Sequence, residues 1–147
     1  MGANDATAAM KPWRAVLALL VLTAVAYLPV KDAGFIWDDD DYVTENAVLE
    51  DERALRRIWT PRETPQYYPA VFTTFWLERQ LFGLDPLGYH VVNVLLHAAN
   101  ALLVWRLFLR LGVPGALLVG ALFAVHPVQV ESVAWVTERK NVLSGLF

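Results

Sequence analysis

Uncharged apolar stretches alternate with polar ones along this chain, and their lengths predict membrane-crossing helices. The first runs from Ala15 to Val30, with Lys11 and Arg14 before it and Lys31 after it. Those 16 residues fall short of the roughly 20 that span a bilayer. Trp13 and a snorkelling Arg14 and Lys31 extend the segment to 13–31. The same residues also fit a secretory signal peptide, with Ala24-Val25-Ala26 as a small-x-small cleavage site. Either reading leaves Asp38 on the non-cytoplasmic side. Residues 1–11 are expected to be a disordered cytoplasmic N-terminus. A second apolar segment covers 89–109, a third 113–126, and a fourth opens near 140. Val142–Phe147 carries no terminating signal, so the sequence is expected to be the N-terminal part of a longer protein.

Within the second segment, four polar residues interrupt the apolar pattern: His90, Asn93, His97 and Asn100. At about 100° per residue they fall within an arc of roughly 80°. Polar groups at membrane depth face a bundle interior or a wet cavity. Hydrogen bonding between helices is the preferred reading for Asn93, His97 and Asn100. His90, nearest the acidic loop, is open to a functional role. The third segment contains Gly115, Gly120 and Ala121, which permit close helix contact, and His126-Pro127 ends it.

Between the first two segments lies a long polar stretch, 32–88. Asn46 is a predicted N-cap for a helix over Ala47–Trp59, and Pro61 and Pro65 interrupt the chain after it. Tyr67–Phe82 is aromatic and too charged to span, which suits a helix lying in the membrane interface. Its spacing places Phe72, Phe75, Trp76 and Arg79 together. Gly83–Gly88 reads as a turn.

Composition sharpens this picture. The chain of 147 residues is 56% hydrophobic with a mean hydropathy of +0.38, above the average of about 45–50% for soluble domains. It contains no cysteine, which excludes a disulfide framework or thiolate metal site. Net charge is only −3, but residues 31–85 hold twelve acids against six bases. No basic nucleic-acid surface is present. Arg106 and Arg110 flank the short loop at Gly112–Gly115 and mark it as cytoplasmic. The acidic stretch and the residues after Pro127 then share the opposite face.

The acidic stretch also carries the candidate chemistry. Asp38-Asp39-Asp40-Asp41 places four like charges in a row, flanked by Phe35, Trp37 and Tyr42, which favour the water–lipid boundary. Acids held there can meet a substrate whose tail lies in the bilayer. A solvated turn or a loose cation site is the alternative. The Asp-x-Asp-x-Asp-Gly pattern of a calcium loop is missing. His126 and Glu131 are expected on the same membrane face, which makes convergence of the two acidic elements the main argument for a site. If the segment after Pro127 is helical, Glu131, Trp135 and Arg139 share one side.

Three motifs in order resemble a known family. They are Phe35-Ile36-Trp37-Asp38-Asp39 with Tyr42-Val43 and Asn46, then Phe82-Gly83-Leu84-Asp85-Pro86 with Gly88-Tyr89-His90, Asn93, Leu95 and His97. The third is Leu122-Phe123-Ala124 with His126-Pro127 and Glu131-Ser132-Val133-Ala134. The chain resembles the membrane O-mannosyltransferases that carry tetratricopeptide repeats and their bacterial relatives, from about residue 15 to the end. The resemblance implies an all-α membrane protein with the GT-C-like polytopic helical bundle, here three spans and the start of a fourth, with interfacial helices in the first extracytoplasmic loop. It implies transfer of a sugar from a polyprenyl-phosphate carrier to a protein or glycan hydroxyl, in a membrane that the missing cysteines and missing Asn-x-Ser/Thr sequons suggest is the bacterial inner membrane, with the site facing the periplasm. Later spans and a repeat domain are expected beyond this sequence, and the chain alone is expected to be inactive.

Residue by residue, the resemblance makes Asp38 and Asp39 the catalytic acids and matches Glu131 and Arg139 to the acidic and basic positions of the third motif. Tyr67-Tyr68-Pro69 departs from the family's Tyr-Arg-Pro, which removes one expected phosphate contact. Arg139, with His126 or His90, is expected to stabilise a departing phosphate, and Glu131 to orient one of them. Nothing requires a metal, although a divalent cation, Mg or Mn, between acids and phosphate is compatible with these residues. The rival classes are a non-catalytic membrane scaffold with C-terminal repeats and a cation-binding or transport component.

Overall fold

The computed structural model describes residues 11–147, so the expected disordered tail lies outside the described residues except for Lys11. Among these residues the chain is helical, with no strand. Helix α1 covers Pro12–Ala26 and continues into a 3-10 turn at Leu28–Asp32. Its 15 residues reach about 22 Å, less than the ~30 Å hydrocarbon thickness. Helix α5, Pro86–Arg110, is the one helix among the described residues long and apolar enough to cross a membrane alone. Asp85 caps it by accepting from the Leu87 N–H at 3.0 Å, with Pro86 at the first turn. Helix α6, Ala116–Val125, and the stretch Pro127–Ala134 pass the same test only as one span bent by 49°. The bend falls at His126-Pro127, as the sequence predicts.

Helices α1, α5 and α6 pack through small residues. Ala15, Ala98, Ala101, Ala116 and Ala124 are buried, whereas Leu17, Val21, Leu95, Leu107, Leu118 and Leu122 are exposed. Leu19 and Trp105 are buried among the small residues, and the large apolar side chains that face outward are those of helices whose surroundings are apolar. Gly120 sits so close to α5 that a Cβ there would lie 2.8 Å from the Trp105 Cβ. At the far end of the three-helix layer, Gly115 turns the chain with φ of 80°.

The acidic stretch folds into a second layer with its own core. The short helices α2 (Ala47–Glu50) and α3 (Ala54–Ile58) replace the single predicted helix. The break has a local cause: Asp51 accepts from the Arg53 N–H at 2.7 Å and its carbonyl accepts from the Ala54 N–H. Asn46 caps α2 as predicted, accepting from the Val48 N–H at 3.0 Å. Helix α4, Pro69–Phe82, turns Val71, Phe72, Phe75 and Glu78 inward. With Tyr42, Val43, Leu49, Ile58, Tyr89 and Val136, the apolar three, Val71, Phe72 and Phe75, form the largest buried cluster. The face of α4 that carries Phe72 and Phe75 is therefore an internal face, and Leu77 and Leu81 remain exposed elsewhere on the helix. Arg79 reaches across to the Val43 carbonyl at 2.8 Å and to Glu50.

The polar stripe on α5 serves the packing. Asn93 donates to the Trp135 carbonyl at 3.0 Å, His97 Nε2 meets the Ala124 carbonyl at 3.0 Å, and Asn100 donates to the Val142 carbonyl at 2.7 Å. Each holds a later part of the chain against α5. The last two elements are α7 (Val130–Ala134) and α8 (Arg139–Ser144).

Candidate active site

The four aspartates have four different environments. Asp39 is fully buried. Its Oδ2 accepts from the Ile36 N–H at 2.9 Å, and its Oδ1 accepts from the Thr137 N–H at 2.9 Å and from the Thr137 hydroxyl. Asp40 accepts from the Thr44 hydroxyl at 2.9 Å, and Asp41 is exposed. Asp38 is half-buried, and its Oδ1 is buried without a hydrogen-bond partner among the described residues.

Asp39 and Thr137 are separated by 98 positions, so their contact ties the first loop to the chain after α7. A second contact runs parallel to it. Trp37 and Trp135 meet edge to face, with ring centroids 4.8 Å apart. Segments 37–39 and 135–137 thus run side by side, joined at both ends, with Asp38 between the joints. Trp37 has φ of 52°, a left-handed conformation rare for a bulky side chain. Below the turn lies Tyr42, whose phenol is pushed up to about 12, first by burial and then by Asp38, Tyr68, Glu138 and Asp41. Glu138 follows Thr137 in the chain and pairs with Lys140 at 2.6 Å.

Arg139 does not share a side with Glu131. Helix α7 ends at Ala134, Trp135 is extended, and the expected common face does not form. The guanidinium is fully buried. It grips Glu78 with two N–H groups, donates to Thr74 Oγ1 and to the Tyr89 carbonyl at 3.0 Å each, and donates to Asn93. It also lies 4.9 Å over the Phe75 ring. Every donor of the fork is engaged inside the protein. Sequence reasoning missed Glu78, since a lone glutamate on an aromatic helix gives no sign of a partner 61 positions away. Burial pushes the Glu78 carboxyl up from its ordinary value, and the Arg139 charge opposes that shift.

The remaining candidates are dispersed. His90 is buried, and neither ring nitrogen has a hydrogen-bond partner among the described residues. His126 is exposed, and its Nδ1 accepts from the Val128 N–H at 3.2 Å. Glu131 is exposed on α7. Among the described residues, no hydrogen bond or ion pair joins His126 or Glu131 to the aspartates. No group of three His, Cys, Asp or Glu side chains among them is placed to hold a metal ion.

Comparison with known proteins agrees with the motifs. A protein O-mannosyl-transferase of Caenorhabditis elegans is 31% identical over 91% of this chain, and 22% of that protein is covered. Human protein O-mannosyl-transferase TMTC4 is 30% identical over 94% of the chain and 22% of its own length. The Xenopus laevis protein O-mannosyl-transferase tmtc2 is 36% identical over 86% of the chain and 16% of its own length. The chain is similar to the TMTC protein O-mannosyl-transferases. It spans about a fifth of the length of these curated relatives. No family model and no solved structure matches it.

Proposed function

We propose that this chain carries the donor and base end of a GT-C-type glycosyltransferase, one that moves a mannosyl group from a polyprenyl-phosphate carrier to a protein hydroxyl. The observation that carries the reading is the environment of Asp38. Its neighbour Asp39 is used up in fixing the loop, whereas the Asp38 side chain makes no hydrogen bond among the described residues and its Oδ2, unlike Oδ1, is not buried. Asp38 is the general base and Asp39 a positioning residue. The acceptor hydroxyl gives its proton to Asp38 as its oxygen bonds to the anomeric carbon. The bond from that carbon to the carrier phosphate oxygen breaks on the opposite face, which inverts the centre. The phosphate leaves with its electron pair and its lipid.

Arg139 is assigned to holding the site together, because its donors are all engaged. Lys140, beside Tyr67, Tyr68 and Pro69 along a cavity of about 360 Å³, is the cation we place at the phosphate. Exposed His126 and Glu131 face incoming substrate, and His90 supports the turn from below. The site opens to the extracytoplasmic face, the periplasm if the host is bacterial. The similarity of the chain to proteins named O-mannosyl-transferases supports the sugar and the acceptor class.

The test uses the full-length protein in detergent with a labelled polyprenyl-phosphate mannose and peptide acceptors. Removing a general base costs about 10²–10⁴-fold, so Asp38→Asn should lose at least a hundredfold in kcat while donor binding persists. Asp38→Asn turnover at the wild-type rate would remove the proposed base.

A further inference from the structure

An exposed indole beside a catalytic acid is the feature that the transferase reading leaves unused. Trp37 is 75% exposed, yet it is held in a left-handed backbone conformation at φ of 52°. Strain of that kind persists only where the surroundings enforce it, and it gathers at functional positions. Here the enforcement is visible. Asp39 pins the backbone two residues on, and Trp135 braces the ring at 4.8 Å. Asn93 holds the Trp135 carbonyl at 3.0 Å, so the brace itself is fixed to α5. Two polar atoms next to the platform are buried and unpaired, the Asp38 Oδ1 and the Trp135 Nε1. One is an acceptor and the other a donor.

We propose that Trp37, braced by Trp135, is the platform on which the hexopyranose ring of the carrier-linked sugar stacks beside Asp38. A pyranose has a face of C–H bonds, which packs on the negative face of an indole, and a rim of hydroxyls. Once sugar binding uncovers these atoms, its hydroxyls can donate to Asp38 Oδ1 and accept from Trp135 Nε1, which leaves Asp38 Oδ2 for the acceptor's proton. A flat aliphatic ligand would leave both polar atoms unpaired, which is why the chemistry points to a sugar. Trp37 is then a specificity-determining residue for the sugar, separate from the lipid and the phosphate. The inference rests on the transferase reading, and its test separates the two.

The full-length protein is reconstituted and its affinity measured for two probes, polyprenyl-phosphate mannose and sugar-free polyprenyl phosphate. Trp37→Gly accepts the left-handed backbone without strain, so it should fold with an unfolding midpoint near that of the wild type. It should weaken binding of the sugar-bearing carrier on the order of tenfold and leave the sugar-free carrier unchanged. Trp37→Phe, which keeps an aromatic face, should recover most of the loss. Equal weakening of both carriers would show that Trp37 is a membrane anchor or a packing surface, and unchanged binding of both would also overturn the platform. If Asp38→Asn abolishes transfer while Trp37→Gly binds normally, the platform fails and the base stands.

Discussion

The difference between Asp38 and Asp39 is set by one contact, the pair of bonds from Thr137. Replacing Asp39 by Ala strands the Ile36 and Thr137 N–H groups inside the protein. Each stranded group costs about 1–3 kcal/mol, so the variant should unfold at clearly lower temperature when followed by tryptophan fluorescence. Glu78→Gln leaves the buried Arg139 without its counter-charge. Breaking a buried pair in this way costs about 3–5 kcal/mol, and the same unfolding assay should show a loss of that size. Replacing both Glu78 and Arg139 by apolar residues should recover part of it. Tyr42 gives a pH signature. Its folded value of about 12 lies above the ordinary 10.0, so the stability it contributes is fully present below pH 10 and is lost as pH rises toward 12. A phenolate absorbance titration should find Tyr42 among the tyrosines that ionise after the exposed ones, so that Tyr42→Phe shrinks the late phase; a late phase unchanged in that variant would contradict the burial.

At the scale of elements, local signals in the sequence located most ends and faces. His126-Pro127 closes α6 and Asn46 caps α2, because each acts through residues two positions away, whereas α5 opens at Asp85-Pro86, inside the stretch that the sequence reads as a turn. The stripe of Asn93, His97 and Asn100 was legible as helix-binding for the same reason, since a period can be read along one segment. Asp51 was missed because its turn competes with a helix whose apolar pattern continues on both sides. The fates of Asp39 and Arg139 could not be read at all. Their partners, Thr137 and Glu78, are far away in sequence and ordinary in type. Close packing of α5 on α6 gives a sharp test. A Cβ at Gly120 meets Trp105 at 2.8 Å, so Gly120→Val should cost about 1–3 kcal/mol as overpacking. It should lower the unfolding midpoint of the protein in detergent, and an unchanged midpoint would contradict the contact.

Taken whole, the molecule is a layer of apolar helices carrying a polar cap. Asp39, Arg139 and Asn93 stitch the cap to α5 and to the chain after α7. In the proposed reading, the layer supplies position in a membrane and the cap supplies the general base. The absence of cysteine makes the side on which each part emerges directly measurable. Asp41 and Glu131 are both exposed, so a single cysteine can replace either in the full-length protein within sealed vesicles and be challenged with a membrane-impermeant maleimide. Labelling of both positions from the same compartment is the predicted result. Labelling from opposite compartments would contradict the shared face on which the proposed site depends.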